Sequence, residues 1–368
     1  MPLSLHHLAT LVADGVEVTS GSRVSVFTTD VEVVPAAAAF VEEVYRRGGI
    51  AQVVATDECY DESALRWARE SVLRSPPPIE EAAMRWSDVH VSFRGLVPPR
   101  ADVPGARRAA LREGRGRIST LRWQHTRWAL VRVPTEAWAD FVGLDPQQLM
   151  GEWAASFVDD WTGAEDRLMP LCARLDQAPT ARITSPDTDL RLGVAGRFWV
   201  PFAGRANWPD GELATAPVED EVEGHITFPG RFWFSGVEIA DLRLDFEAGR
   251  VVAVTARTGQ EFVEEFLATD PGAVRVGELG VGLNAALRTV TGDLLLDEKI
   301  LGTVHLALGR SYPECGGLNE SSVHWDIVKD LRGGGTFTVG ETPLILDGVI
   351  GAELRAHAVA RRGADRVG

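Results

Sequence analysis

The sequence predicts an α/β N-terminal domain built on a parallel sheet, followed by a C-terminal α+β domain. Three observations carry this expectation. Strand-like and helix-like segments alternate through the first half, a long and largely helical run closes it, and short strands with glycine turns take over from about residue 180.

In chain order, Arg23–Thr29 (RVSVFTT) reads as a buried strand after the Ser20-Gly21 turn. Val34–Arg47 reads as a helix with its C-terminal stop at Gly48-Gly49. Ile50–Thr56 is a second strand, and Asp61–Leu73 a helix opened by an acidic cap. After Ser75-Pro76-Pro77-Pro78 come a short helix and the strand Val89–Phe93. Arg127–Val133 adds one more strand, and Asp145–Ala178 is a helical run rich in Trp, Leu and Ala. Alternation at this spacing is that of βαβ units with helices on the faces of a parallel sheet. The pattern change places a boundary between a domain of residues 1–180 and one of 181–368. In the second, Leu190–Val200, Arg231–Ile239, Leu242–Phe246, Val251–Thr258 and Thr336–Val339 read as strands. Helical pattern is confined to Glu261–Thr269 and Leu279–Thr289. No internal repeat is present.

Composition narrows the function. The 368 residues carry 37 basic and 53 acidic side chains, a formal charge of −16, which repels phosphate backbones and argues against nucleic acid as a partner. Only Lys299 and Lys329 are lysines; the remaining basic residues are arginines, a bias that reads as a coding-composition effect. Cys59, Cys172 and Cys315 are far apart and odd in number, giving neither a disulfide framework nor a thiol pair for zinc. Met1–Asp14 does not have the pattern of a secretion signal, and no apolar run approaches the ~18–20 residues of a membrane helix. A soluble, cytoplasmic protein with no membrane partner is expected. The first half has neither a GxGxxG nor a Walker sequence. The Gly333-Gly334-Gly335 run is not followed by Lys-Ser/Thr, so a turn is the reading there.

The chemistry concentrates near the C-terminus. His6, His7 and His357 lie near the termini and His90 and His125 sit in apolar segments, so all five read as structural, while His225, after Gly224, stays ambiguous. His324-Trp325-Asp326 places an imidazole and a carboxylate two residues apart, on one side of a strand, with Trp325 packing behind. His305 follows the acidic pair Asp297-Glu298. Glu212 and Glu278 each follow a glycine, and Glu278 lies between Val276 and Leu279, a costly place for an unpaired charge. Two histidines with three or four carboxylates are a ligand mix for one or two borderline divalent ions such as zinc, cobalt or manganese. So short a pattern as HxD also recurs by chance, with surface acids and core histidines as the plain alternative.

The C-terminal blocks, taken together, resemble the thermophilic aminopeptidase family, also called aminopeptidase T or S, peptidase family M29. The blocks are Asn207–Glu212 (NWPDGE) followed by Thr215-Ala216-Pro217, then Val276-Gly277-Glu278, then LLDEKILGTVHLALGRSYPECGG at 295–317, and finally Asn319–Asp326 (NESSVHWD). Weaker similarity runs back through Arg127–Thr135 and 188–192, so it covers most of the chain. The resemblance implies a two-domain metallopeptidase, generally dimeric, that removes N-terminal residues from substrates with a free amino terminus. It implies two divalent metal ions held by Glu212, Glu278, His305, His324 and Asp326 in the C-terminal domain, and an active-site role for Tyr312. Glu298 resembles the acid just before the family histidine, with two additional residues intervening here, and is expected as a ligand or as the catalytic acid–base. Two other readings stay open: a metal-dependent amide hydrolase acting on a non-peptide substrate, and a binding homologue without activity.

Overall fold

The computed structural model describes residues 3–98, 105–157 and 160–359. The chain divides into two compact units, residues 1–159 with 204–209, and residues 160–203 with 210–368. The helix Trp161–Leu175, placed by the sequence reading before the boundary, thus groups with the second unit, and a six-residue segment returns to the first.

The first unit carries a wholly parallel sheet. Strands β1 (Arg23–Thr28), β2 (Ile50–Ala55), β3 (Val89–Gly95) and β4 (Arg127–Val133) lie in the order β2-β1-β3-β4, and the returning Asn207–Trp208 extends it beside β4. Burial follows position. The central β1 and β3 are nearly continuous buried runs, whereas β4 alternates. The helix Val34–Arg46 has Pro35 in its first turn, buries Phe40 and Val44, and is followed by Gly48 in a left-handed conformation. His90, on β3, is buried with Nδ1 2.9 Å from the Ser25 hydroxyl; burial, with Arg122 and Arg94 nearby, keeps its basicity well below the ordinary imidazole range.

The predicted helix Asp61–Leu73 is two helices, Glu58–Trp67 and Glu70–Leu73. The predicted run Asp145–Ala178 likewise resolves into Pro146–Ala155 and Trp161–Leu175; residues 158 and 159 lie outside the described residues. Among the described residues of the first unit, three helices escaped the sequence reading: Leu5–Gly15, Gly105–His125 and Glu136–Val142. The second of these is rich in arginine. Its Arg115 pairs with Glu80 at 2.9 Å and Asp61 at 2.5 Å, and its Gly114 lies so close to the carbonyls of Leu73 and Ser75 that no Cβ would fit.

The second unit has two antiparallel sheets. Its strands begin with β5 (Thr180–Ser185), β6 (Thr188–Gly193) and β7 (Val200–Phe202). After the returning strand (β8) come β9 (Glu212–Thr215), β10 (Val222–Phe234), β11 (Val237–Glu247) and β12 (Arg250–Thr255). Beyond the helix Gln260–Leu267 lie β13 (Val276–Gly282), β14 (Thr303–Gly309), β15 (His324–Asp330), β16 (Thr336–Val339), β17 (Thr342–Leu346) and β18 (Val349–Ile350). The larger sheet runs β12-β11-β10-β6-β5-β16-β17-β18, and the smaller runs β15-β14-β13-β9-β7.

Three predicted elements are corrected. Arg231–Ile239 is not one strand but a hairpin, because Ser235 and Gly236 both have positive φ and join β10 to β11. Leu190–Val200 ends as a strand at Gly193, and Gly196 turns the chain. Leu279–Thr289 is not helical. Leu279, Val281 and Leu283 alternate with Gly280, Gly282 and Asn284, a period of two, and β13 runs through Gly282 before a loop. Among the described residues no helix is long and apolar enough to cross a membrane.

Candidate metal centre

The smaller sheet is polar on one face and apolar on the other. On the apolar face Leu213, Leu279, Val281, Val304, Leu306, Leu308, Trp325 and Ile327 are fully buried. Trp325 stacks on Phe234 at 5.0 Å and meets Phe266 edge-on at 5.1 Å. The opposite residues of the same strands carry the chemistry. Glu212 opens β9, Glu278 lies on β13, His305 on β14, and His324 and Asp326 on β15. The register brings them into adjoining rows: Glu278 opposite Ala307, which in turn faces Asp326; Gly280 opposite His305; Gly282 opposite Glu212; and Gly309 opposite His324. A bulge between Val276 and Glu278 sets the parity that turns Glu278 to this face.

Small residues fill the remaining places on the polar face, and that is what makes room. A Cβ on Gly280 would overlap the His305 imidazole. Bulky polar side chains and the space between them are therefore possible only because Gly280, Gly282, Ala214 and Ala307 surround them.

Glu298 and Lys299 come from the turn after the short helix Leu294–Asp297. Asp297 pins that turn, accepting from the backbone N–H of Thr291 at 2.8 Å, from its hydroxyl at 2.8 Å, and from the Gly292 N–H at 2.7 Å.

These side chains form two groups. Donor atoms of Glu212, Glu298 and His305 lie within 4.8 Å of one another, as do those of Glu278, His324 and Asp326. Glu278 spans them, with Oε1 3.6 Å from His305 Nε2 and Oε2 3.2 Å from His324 Nε2. His305 Nε2 is also 3.6 Å from Glu212 Oε2, and His324 Nε2 is 3.4 Å from Asp326 Oδ1. All six residues named from the sequence as ligands or as the catalytic acid are thus brought together.

The donor set fits a cation. His324 Nδ1 lies 2.7 Å from the Arg310 carbonyl, which can only accept, so Nδ1 carries the proton. In the neutral ring Nε2 then presents a lone pair toward two carboxylates, an arrangement that is repulsive unless a proton or a metal lies between them. His324 Nε2 and Glu212 Oε2 are buried without a hydrogen-bond partner among the described residues.

Protonation follows the same logic. Burial lowers the basicity of His305, but the carboxylates of Glu278, Glu212 and Glu298 outweigh it and raise it to about 9. His324 is likewise raised well above the ordinary 6.5, against its burial, by Asp326 and Glu278. Burial lifts Glu212 to about 7 and Glu298 well above the carboxylate range, in both cases against the pull of Lys299. Glu278 and Asp326 go the other way: burial opposes it, but their histidine partners hold them down. Protons here supply positive charge beyond the single ammonium of Lys299.

Tyr312 precedes the short turn Pro313–Cys315, with its ring 5.2 Å from that of His324 and 5.8 Å from Phe202. Burial, reinforced by Glu278 and Asp326, raises its hydroxyl well above 10, so it remains a proton donor. His225 lies on β10 opposite Asp189, in the larger sheet, and belongs to neither group.

Lys299 escaped the sequence reading. Its side chain is fully buried and its Nζ lies 2.5 Å from Glu212 Oε1, 2.7 Å from Glu298 Oε1 and 3.8 Å from Asp210 Oδ1. The available signal was its rarity: in a chain with two lysines, one of them directly after a paired acid marks a compact ammonium where arginine is the usual cation.

Comparison with known proteins bears on this arrangement. A family model described as thermophilic metalloprotease (M29) matches residues 4–346. Aminopeptidase T of Thermus aquaticus is 31% identical over 275 residues, which are 64% of this chain and 66% of that protein. Among solved structures, wild-type AmpT from Thermus thermophilus aligns with a TM-score of 0.78 at 22% identity, covering 95% of this chain and 99% of its own. The 2,5-dihydroxypyridine dioxygenase of Pseudomonas putida KT2440 aligns with a TM-score of 0.56 at 15% identity, with the same coverage. At those identities the two structures share a fold with this chain, and chemistry has to be argued from the site.

Proposed function

Because the chain belongs to the thermophilic metalloprotease family M29, with the aminopeptidase T homologues, we propose that it is a metal-dependent aminopeptidase hydrolysing the N-terminal peptide bond of peptides with a free amino terminus. The supporting observation is the pair of carboxylate–imidazole groups spanned by Glu278 on one glycine-lined sheet face.

In this reading Glu212, Glu298 and His305 hold one divalent ion and Glu278, His324 and Asp326 another, with zinc, cobalt or manganese all compatible with oxygen and nitrogen donors. Bound there, the ions supply Lewis acidity and bring the pKa of water toward neutrality. The chain's own residues do the rest. The Arg310 carbonyl fixes the His324 ring. Glu298 serves either as the third donor to the first ion or, left free of it, as the carrier of the proton from water to the leaving amine. Tyr312 donates its hydroxyl hydrogen bond to the oxygen of the scissile carbonyl as negative charge develops. A homodimer is the assembly expected from the family resemblance.

The test joins metal content to substrate choice. Elemental analysis of unchelated protein should find divalent metal, a chelator should abolish activity, and aminoacyl-anilides should be cleaved while their N-acetylated forms are not. Protein free of metal and active in chelator would refute the centre. Equal cleavage of acetylated substrates would point to an amide hydrolase of another kind.

A further inference from the structure

We infer that Lys299 is a resident counter-ion of the Glu212–Glu298–His305 group, so that the two metal sites are unequal and the Glu278–His324–Asp326 site fills first. This rests on the metal-centre reading above and concerns how the two halves of the centre divide the charge.

The surroundings of the two groups differ. Around the first, the Lys299 ammonium touches both carboxylates at 2.5 and 2.7 Å and stands 3.8 Å from Asp210. It cannot withdraw to solvent, because the whole side chain is buried and its backbone is fixed: the Lys299 carbonyl accepts from Asn284 N–H at 2.8 Å. Around the second, the ion-pair partners of Glu278 and Asp326 among the described residues are histidines alone. A metal at the second site relieves repulsion for which no lysine or arginine stands in ion-pair contact among the described residues. A metal at the first must share Glu212 and Glu298 with an ammonium a few ångströms away, a like-charge contact in a buried place. An affinity gap of about 100-fold or more is expected.

Binding of Zn²⁺ or Mn²⁺ to the chelator-treated full chain, followed by calorimetry and by equilibrium dialysis with elemental analysis, reads this directly. The wild type should retain one ion per chain through dialysis and take up a second about 100-fold more weakly. Lys299→Met removes the charge and should narrow the gap at least about tenfold, whereas Lys299→Arg keeps the charge and the inequality. Should Lys299→Met fail to fold, two other variants decide the assignment. Asp326→Asn should lose the retained ion, and Glu212→Gln should keep it. Two equally tight ions in the wild type would overturn the inference while leaving the metal centre standing, as would loss of the retained ion in Glu212→Gln. Protein that binds no ion at all would overturn both.

Discussion

Tyr312 is the residue whose role can be separated from metal binding. Its ring packs 5.2 Å from that of His324, beside the two ligand groups and part of neither. If the hydroxyl serves the developing oxyanion, Tyr312→Phe should keep its metal and roughly its KM while kcat falls about 10²–10³-fold. Turnover within a few-fold of wild type would make the ring a packing element. A second expectation at this scale follows from protonation. His305, raised to about 9 from an ordinary 6.5, stabilises the metal-free fold below pH 6.5, and that contribution is lost as pH rises through 9. Glu212, raised to about 7, acts in the same direction from pH 4.5 upward. The depressed Glu278 and Asp326 contribute above the ordinary carboxylate range and lose their effect only in acid. Between pH 6.5 and 9 the metal-free protein should therefore weaken, by roughly 2–3 kcal/mol from His305. Metal replaces those protons, so the difference in Tm between loaded and chelated protein should widen over that range. Melts at pH 6.5, 7.5 and 9 check it, and a constant difference would show that the imidazoles do not hold these protons. The sequence made the five candidate ligands and Tyr312 legible because their residue types and blocks are distinctive. It hid Lys299, since a lone lysine carries no pattern until its carboxylate partners, 87 positions upstream at Glu212 and next door at Glu298, are folded around it.

The strand β13 shows how an element and a site impose requirements on each other. Glycines at 277, 280 and 282 weaken a strand by propensity, yet here a Cβ would strike the His305 ring at 280, the Glu298–Ile300 backbone at 282 and the Gly309-Arg310 backbone at 277. Gly280→Ala should displace the His305 ring and weaken metal binding at least about tenfold, with the strand's apolar face still packed. Gly114→Ala offers the contrast: its Cβ would strike the Leu73 carbonyl in the first unit, costing about 1–3 kcal/mol of stability with metal content unchanged. Metal retention beside thermal melts for the two variants distinguishes them, and normal metal binding by Gly280→Ala would show that the cradle has slack. Strand glycines also explain a misreading. With the alternating apolar residues diluted by glycine, Leu279–Thr289 resembled a helix. The Arg231–Ile239 hairpin reads as one strand only if the apolar residues on both sides are weighed above Ser235-Gly236, the same dipeptide that marks the turn at Ser20-Gly21. The parallel strands of the first unit were legible because burial on both faces leaves unbroken apolar runs. The Gly105–His125 helix was not, since it is mostly arginine and small or polar residues, and its buried Ala110 and Ile118 are too sparse to trace an apolar face in the sequence.

At the scale of the whole molecule the fold class was readable from the alternation of elements, but the exact course of the chain between units was not. The pattern of elements changes near residue 180, whereas the chain passes from one compact unit to the other at 159/160 and then twice more at 203/204 and 209/210. Nothing in local propensity announces that Asn207–Trp208 will pair with β4, because the pairing bridges some 75 residues and its signal is a two-residue strand. That return has a consequence for dissection. No single cut yields two intact pieces: a fragment ending at residue 159 would leave the β4 edge without its neighbour, an invitation to strand-to-strand association. Expressed alone, residues 1–159 should aggregate or exchange strands, and addition of a peptide covering 204–209 should suppress this; a monomeric, well-folded 1–159 would show the returning strand to be dispensable. Gene fusion and shuffling would meet the same constraint. The six returning residues belong to the first unit although the chain reaches them from within the second, so any exchange of one unit between related genes must move residues 204–209 with residues 1–159.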